Sequence, residues 1–339
     1  MRLAQMLSTT VLLLIMMAGT AAAEIPSGTI TFDITPKVEK SVEKLDLWVP
    51  YPMSGAHQRV TGVRVDGNFD QRAVYRDPDS DTVFLHARWQ PAGQSPRLRL
   101  RFHVVLEDRS VDVIKDTGQP IPEPIKRYLA ATDEVPAGNE KMKAIAEKAT
   151  KGKTGILEEA RGVYEWVTEN THRDPKVQGC GLARPGRTLY QCSGGGKCAD
   201  ISAVFVTVAR AAGIPARDVY GLRLAGPEDG DITSAFHCWA EFYLPGTGWI
   251  PVDPADVRKM MLVHDLELSA ADSWRKFFWG GDDLFRVVLE KDARGVHLTP
   301  PQAENPLNYL MYPYAEADGK PLPYFNPEKF SYTVEFKVD

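Results

Sequence analysis

Gly195-Gly196-Lys197-Cys198-Ala199-Asp200, running into the apolar stretch from Ile201 to Ala212, is the segment whose reading decides the fold. Ile201, Val204, Phe205, Val208, Ala209 and Ala212 recur at spacings of three and four, which gives a helix one apolar face. Gly213 and then Pro215 stop it. Cys198 therefore falls in the first helical turn. The free N–H groups and positive end of a helix, helped by a nearby imidazolium, lower a thiol's pKa from its usual value of about 8.5. Glycines 194 to 196 keep side chains out of the approach to that sulfur, and the Cys198 N–H is placed to receive an oxyanion.

Beyond the helix, Val219 to Leu224, Ala235 to Glu241 and Gly248 to Asp253 are β-type runs that would form an antiparallel sheet packed on it, an α+β arrangement. His237 lies in the second run and Asp253 ends the third, before Pro254. Nucleophile, base and orienter thus follow in the order Cys198, His237, Asp253. Each alone has a plainer reading: a buried small hydrophobe, a structural strand histidine, an aspartate starting a turn. Strand alternation puts His237 and Trp239 on one face and Cys238 on the other, as a core residue without a chemical role.

Upstream, Gly28 to about Asp112 is rich in short alternating runs such as Thr29 to Ile34, Leu45 to Pro50, Thr82 to Ala87 and Leu98 to Val104, the pattern of a β-sandwich. Helical periodicity follows through Met142, Ile145 and Ala146, then Leu157, Ala160, Val163, Trp166 and Val167. From Trp274 onward the chain is aromatic-rich strand and loop. The division expected is 1–23 as a leader, 24–125 as an N-terminal β-sandwich, 126–270 as the domain carrying Cys198, and 271–339 as a C-terminal β-rich extension.

Residues 1 to 23 hold one charge, Arg2, a short apolar core from Val11 to Met17, and small residues at Thr20-Ala21-Ala22-Ala23. That is the pattern of a cleavable signal peptide, hence a periplasmic or secreted protein, and no stretch reaches the length of a membrane span. The 339 residues carry a net charge of -5 without long like-charge blocks, which argues against nucleic acid as a partner. Oligomeric state is left open by the sequence. Of the four cysteines, Cys180 and Cys192 share the loop before the helix and make the preferred disulfide; pairing Cys192 with Cys198 instead would destroy the nucleophile. A metal site built on Cys192 and Cys198 with Cys180 or His237 is disfavoured, because five residues separate Cys192 from Cys198. No nucleotide loop, haem motif or calcium loop is present in the sequence, so no cofactor is implied.

Four linked pieces resemble the transglutaminase-like superfamily, particularly exported bacterial members: Gly196 to Ser202, Ala209 to Arg217, His237 to Glu241 and Gly248 to Pro254. The resemblance implies a papain-like core, a Cys198, His237, Asp253 triad and a thioester on Cys198 formed from a peptide or carboxamide. Water as acceptor makes such an enzyme a peptidase or amidase, and an amine makes it a transglutaminase. Both stay open, with protein or cell-wall peptides as substrates. Gln191 is a candidate side-chain oxyanion donor by comparison with papain-like enzymes; Gly196 and Trp239 would line the substrate path. The alternative is a catalytically idle peptide-binding or assembly module of the same fold. An arylamine-type acetyltransferase suits the chain less, since its nucleophile lies nearer the start. Nothing supports carrying over the calcium dependence of some transglutaminases.

Overall fold

Two five-stranded sheets and one four-stranded sheet carry the architecture of the computed structural model, which describes residues 27–92, 95–111, 114–281, 285–303 and 306–339. The leader expected at 1–23 lies outside those residues. Ser27–Pro36 alternates strictly, burying Ile30, Phe32 and Ile34, and Leu98–Leu106 does the same with Leu98, Leu100, Phe102, Val104 and Leu106. Period-two burial is what a strand with one apolar face produces. These two strands pair antiparallel, while all six residues of Leu45–Pro50 are buried in the second sheet.

The chain's end does not stand apart as an extension. Phe330–Val338 pairs along the whole of Ser27–Pro36, from Gly28 opposite Val338 to Pro36 opposite Phe330. Tyr314–Ala317 pairs with Leu45–Pro50, and Arg286–Lys291 joins the four-stranded sheet beside Ala216–Arg223. The physical reason is burial. Each of these N-terminal strands has a neighbour on both sides, and the C-terminal strands supply one of them with Phe330, Val334 and Phe336 pointing into the core.

The four-stranded sheet runs in the order Gly248–Val252, Phe236–Leu244, Ala216–Arg223, Arg286–Lys291. The helix Cys198–Ala211 packs on it, buried from Cys198 to Arg210. Its end is a tight one: Gly213 has φ +81°, and the Ile214 N–H bonds the Ala209 carbonyl at 2.9 Å. Glu140–Thr150 and Ile156–Asn170 pack against the same helix. Among the described residues no helix is long and apolar enough to cross a membrane.

Candidate active site

Asp200 fixes the approach to Cys198. In the first turn its Oδ2 accepts from the Lys197 N–H at 3.1 Å, and its Oδ1 accepts from the N–H groups of Leu182 and Ala183 at 2.9 and 3.1 Å. The Ala199 N–H bonds the Cys180 carbonyl at 2.9 Å. The 180–183 loop is thereby pinned to the helix N-terminus. Gly181 is what lets it come so close: its φ is +99°, and a Cβ there would sit 1.9 Å from Asp200 Oδ2. Gly196 has the same role from the other side, since a Cβ would meet Asp200 Cβ at 2.6 Å. Gly196 is thus a packing glycine, buried beside the helix start.

Asp253 caps the helix Pro254–Val263, its Oδ1 accepting from the Asp256 N–H at 2.8 Å. Its Oδ2 accepts from His237 Nε2 at 2.7 Å and from Arg286 Nη1 at 2.7 Å. Asp256 stands behind, 3.4 Å from His237 Nε2 and 3.5 Å from Arg286 Nη2, and it also pairs with Arg223. With Nε2 so held, Nδ1 is the nitrogen available to Cys198, which stands next to the ring. Burial works against a charged imidazole, but the carboxylates of Asp256 and Asp253 outweigh it and lift the His237 pKa to about 9. Burial likewise opposes ionisation of Cys198, yet the neighbouring Cys180, Cys238 and His237 groups hold its thiol well below the usual value. Both shifts favour a thiolate beside an imidazolium, at positions where Cys198 is 1% and His237 3% exposed.

Three expectations change. The Cys180–Cys192 disulfide is absent: all four cysteines are free, and the Cys180 sulfur lies within 4.8 Å of those of Cys198 and Cys238. The loop pinned by Asp200 carries Cys180 inward, whereas Cys192 is only half-buried. Cys238 is in the core, as alternation requires, but its sulfur also lies within 4.8 Å of that of Cys198. It does so because His237 and Cys238 lie near the start of the strand Phe236–Leu244, where side chains from both faces reach the helix start. Gln191, finally, follows the short helix Pro185–Tyr190 and is exposed, outside the buried cluster.

Trp239 is 1% exposed, parallel to the His237 ring at 6.3 Å, with the Arg109 and Arg286 guanidiniums each 5.0 Å from its own ring. It supports the histidine and the arginine that holds Asp253. Arg286, Asp256 and Arg223 had no signal in the sequence that marked them as part of this constellation. A cavity of about 180 Å³ lined by Gln58, Arg109, Glu241 and Lys291 shares Arg286 with the site but none of Cys198, His237 and Asp253.

This order of elements, a cysteine opening a helix laid on a sheet whose strands present histidine and aspartate, is matched over residues 143–254 by the model of the transglutaminase-like superfamily. The chain belongs to that superfamily. The superfamily segment contains Cys198, His237 and Asp253, while Arg286 and Met311 lie beyond it. Over 332 residues the chain is 32% identical to an uncharacterised protein of Haemophilus influenzae, covering 90% of this chain and 89% of that one. Its fold matches the crystal structure of a protein from Cytophaga hutchinsonii described as a candidate cysteine protease, with a TM-score of 0.55 and 13% identity across 92% of this chain and 90% of that one. The fold shared with that structure therefore extends through the β sheets and is not confined to the superfamily segment.

Proposed function

We propose that the protein is a thiol acyl hydrolase or transferase acting on peptide or carboxamide bonds, with Cys198 as nucleophile, His237 as acid and base, and Asp253 as the group that holds His237. The observation that supports this reading is the 2.7 Å bond from His237 Nε2 to Asp253 next to a cysteine that opens a helix. The thiolate attacks the carbonyl carbon, and the oxyanion forms beside the Cys198 N–H. As the tetrahedral species collapses, the C–N bond breaks and imidazolium gives its proton to the departing ammonia or amine, leaving a thioester. Neutral His237 then takes a proton from water, or from an incoming amine, whose attack frees the acid or the new amide and restores the thiol pair. Water as the common acceptor favours hydrolysis.

Export is part of this reading, on the strength of residues 1–23, and makes extracytoplasmic proteins or cell-wall peptides the substrates to try. The burial of Cys198 favours one competing reading, an idle module of the same fold. Brief iodoacetamide treatment from pH 5 to 9, read by intact mass, separates them. Labelling at Cys198 that persists below pH 7 and weakens in His237→Ala supports the enzyme. A Cys198 that stays unlabelled across the range supports the idle module.

A further inference from the structure

The mechanism uses one sulfur, but three thiol groups converge at this place and a thioether touches one of them. The Cys180, Cys198 and Cys238 sulfurs all lie within 4.8 Å of one another, and the Met311 thioether lies 3.8 Å from Cys238 Sγ. All four residues are between 0 and 4% exposed. Metal–thiolate bonds of about 2.3 Å place sulfurs on adjacent corners of a trigonal or tetrahedral shell about 3.8–4.0 Å apart. The Cys238–Met311 separation falls on that value. The spacing objection drawn from Cys192 does not apply, because Cys238 and Met311 are brought in from a strand and from the C-terminal segment.

We propose that Cys180, Cys198, Cys238 and Met311 form a binding site for a soft monovalent ion, Cu(I), which blocks the Cys198 sulfur while it is bound. The donor set selects the ion. Thiolates with a thioether suit Cu(I), whereas structural zinc takes cysteine, histidine or carboxylate and has no use for a buried methionine. Copper enters as Cu(I) and leaves as Cu(I), so no electron is transferred; Cys180 and Cys238 release their thiol protons to solvent as they coordinate, and Cys198 coordinates as the thiolate. Gly181, Leu310 and Tyr312, the chain neighbours of Cys180 and Met311, line a cavity of about 590 Å³ that the four ligand residues do not themselves line. The silencing half of the proposal rests on Cys198 being the nucleophile. The binding half does not.

The test is an anaerobic titration of the reduced full chain with Cu(I) supplied as its bathocuproine disulfonate complex, following loss of the chelator's colour. One equivalent should transfer. Cys180→Ser should weaken binding by about 100-fold and the volume-conserving Met311→Leu by about 10-fold, while Cys192→Ser leaves it unchanged. Circular dichroism checks that each variant is folded, and Met311→Leu keeps the test alive if the cysteine variants are not. Affinity unaffected by Cys180→Ser or by Met311→Leu overturns the site, and so does displacement of Cu(I) by excess Zn(II). Iodoacetamide labelling of the copper-free chain separates the two readings. A chain that binds Cu(I) but is never labelled keeps the metal site and loses the enzyme; one that is labelled but takes no Cu(I) does the reverse.

Discussion

Cys198 and His237 shift in opposite directions, and that opposition has a measurable signature. A histidine rising from 6.5 unfolded to about 9 folded contributes stability that is complete below 6.5, declines as pH rises and is gone above about 9. A thiol lowered well below 9.0 does the opposite: its contribution is present above that value and is lost as pH falls through the folded pKa. Between pH 6.5 and 9 the two slopes oppose each other in the wild type. Cys198→Ser removes one, so this variant's stability should fall more steeply with pH than the wild type's across that window. Thermal denaturation in half-unit pH steps checks this, and parallel curves would show that the two groups do not titrate as partners. Arg286 makes a second case. Arg286→Met takes one of the cations from the buried Asp253 and Asp256 carboxylates, leaving His237 and Arg223, a cost of about 3 kcal/mol, while Arg286→Lys should cost less. Denaturant unfolding of the two variants decides it; a melt of Arg286→Met superimposable on wild type would contradict the assignment. Cys198, His237 and Asp253 were legible because each stands in a short segment whose local pattern, helix start or strand, fixes its surroundings. Arg286 sits in an ordinary β run 33 residues beyond Asp253, and nothing local marks its partner.

At the scale of elements, the helix Cys198–Ala211 was readable almost to its last residue, since its apolar periodicity and Gly213 are both properties of a single segment. The loop 180–183 was not. Its conformation is dictated by Asp200, which accepts two of its N–H groups, and by the missing side chain at Gly181. Gly181→Ala should strain a positive φ and push the loop off Asp200, with a loss of about 1–3 kcal/mol. It should also alter the rate at which iodoacetamide reaches Cys198, because Cys180 would withdraw from the sulfur it faces. An unchanged melt together with an unchanged labelling rate would mean that the loop is not pinned as described. The expected Cys180–Cys192 bridge failed for the same reason: proximity in a loop says which cysteines are near in sequence, and the tether to Asp200 decides which one turns inward.

For the whole molecule, the boundaries suggested by composition cut through sheets. Strand Phe330–Val338 lies beside Ser27–Pro36, and Tyr314–Ala317 beside Leu45–Pro50, so a fragment of residues 24–125 lacks a flanking strand in each five-stranded sheet. That fragment should not fold alone. The expectation is an unfolded or aggregating product by circular dichroism and amide-proton spectra, and a cooperative melt would refute it. In the full chain, Phe336→Ala should cost about 3–5 kcal/mol by opening a cavity in a core shared by both ends of the chain. By itself the sequence determined the α+β class, the cysteine at a helix start and the superfamily, because periodicity, helix stops and short motifs are local and each residue's neighbours along the chain supply the information. The tertiary structure alone decided that the ends close the sheets, that Arg286 and Asp256 hold the Asp253–His237 pair, and that Cys180 and Cys238 crowd Cys198, with Met311 against Cys238. Those contacts join residues tens to hundreds of positions apart, and alternation says which face of a strand is buried without saying what will be packed against it.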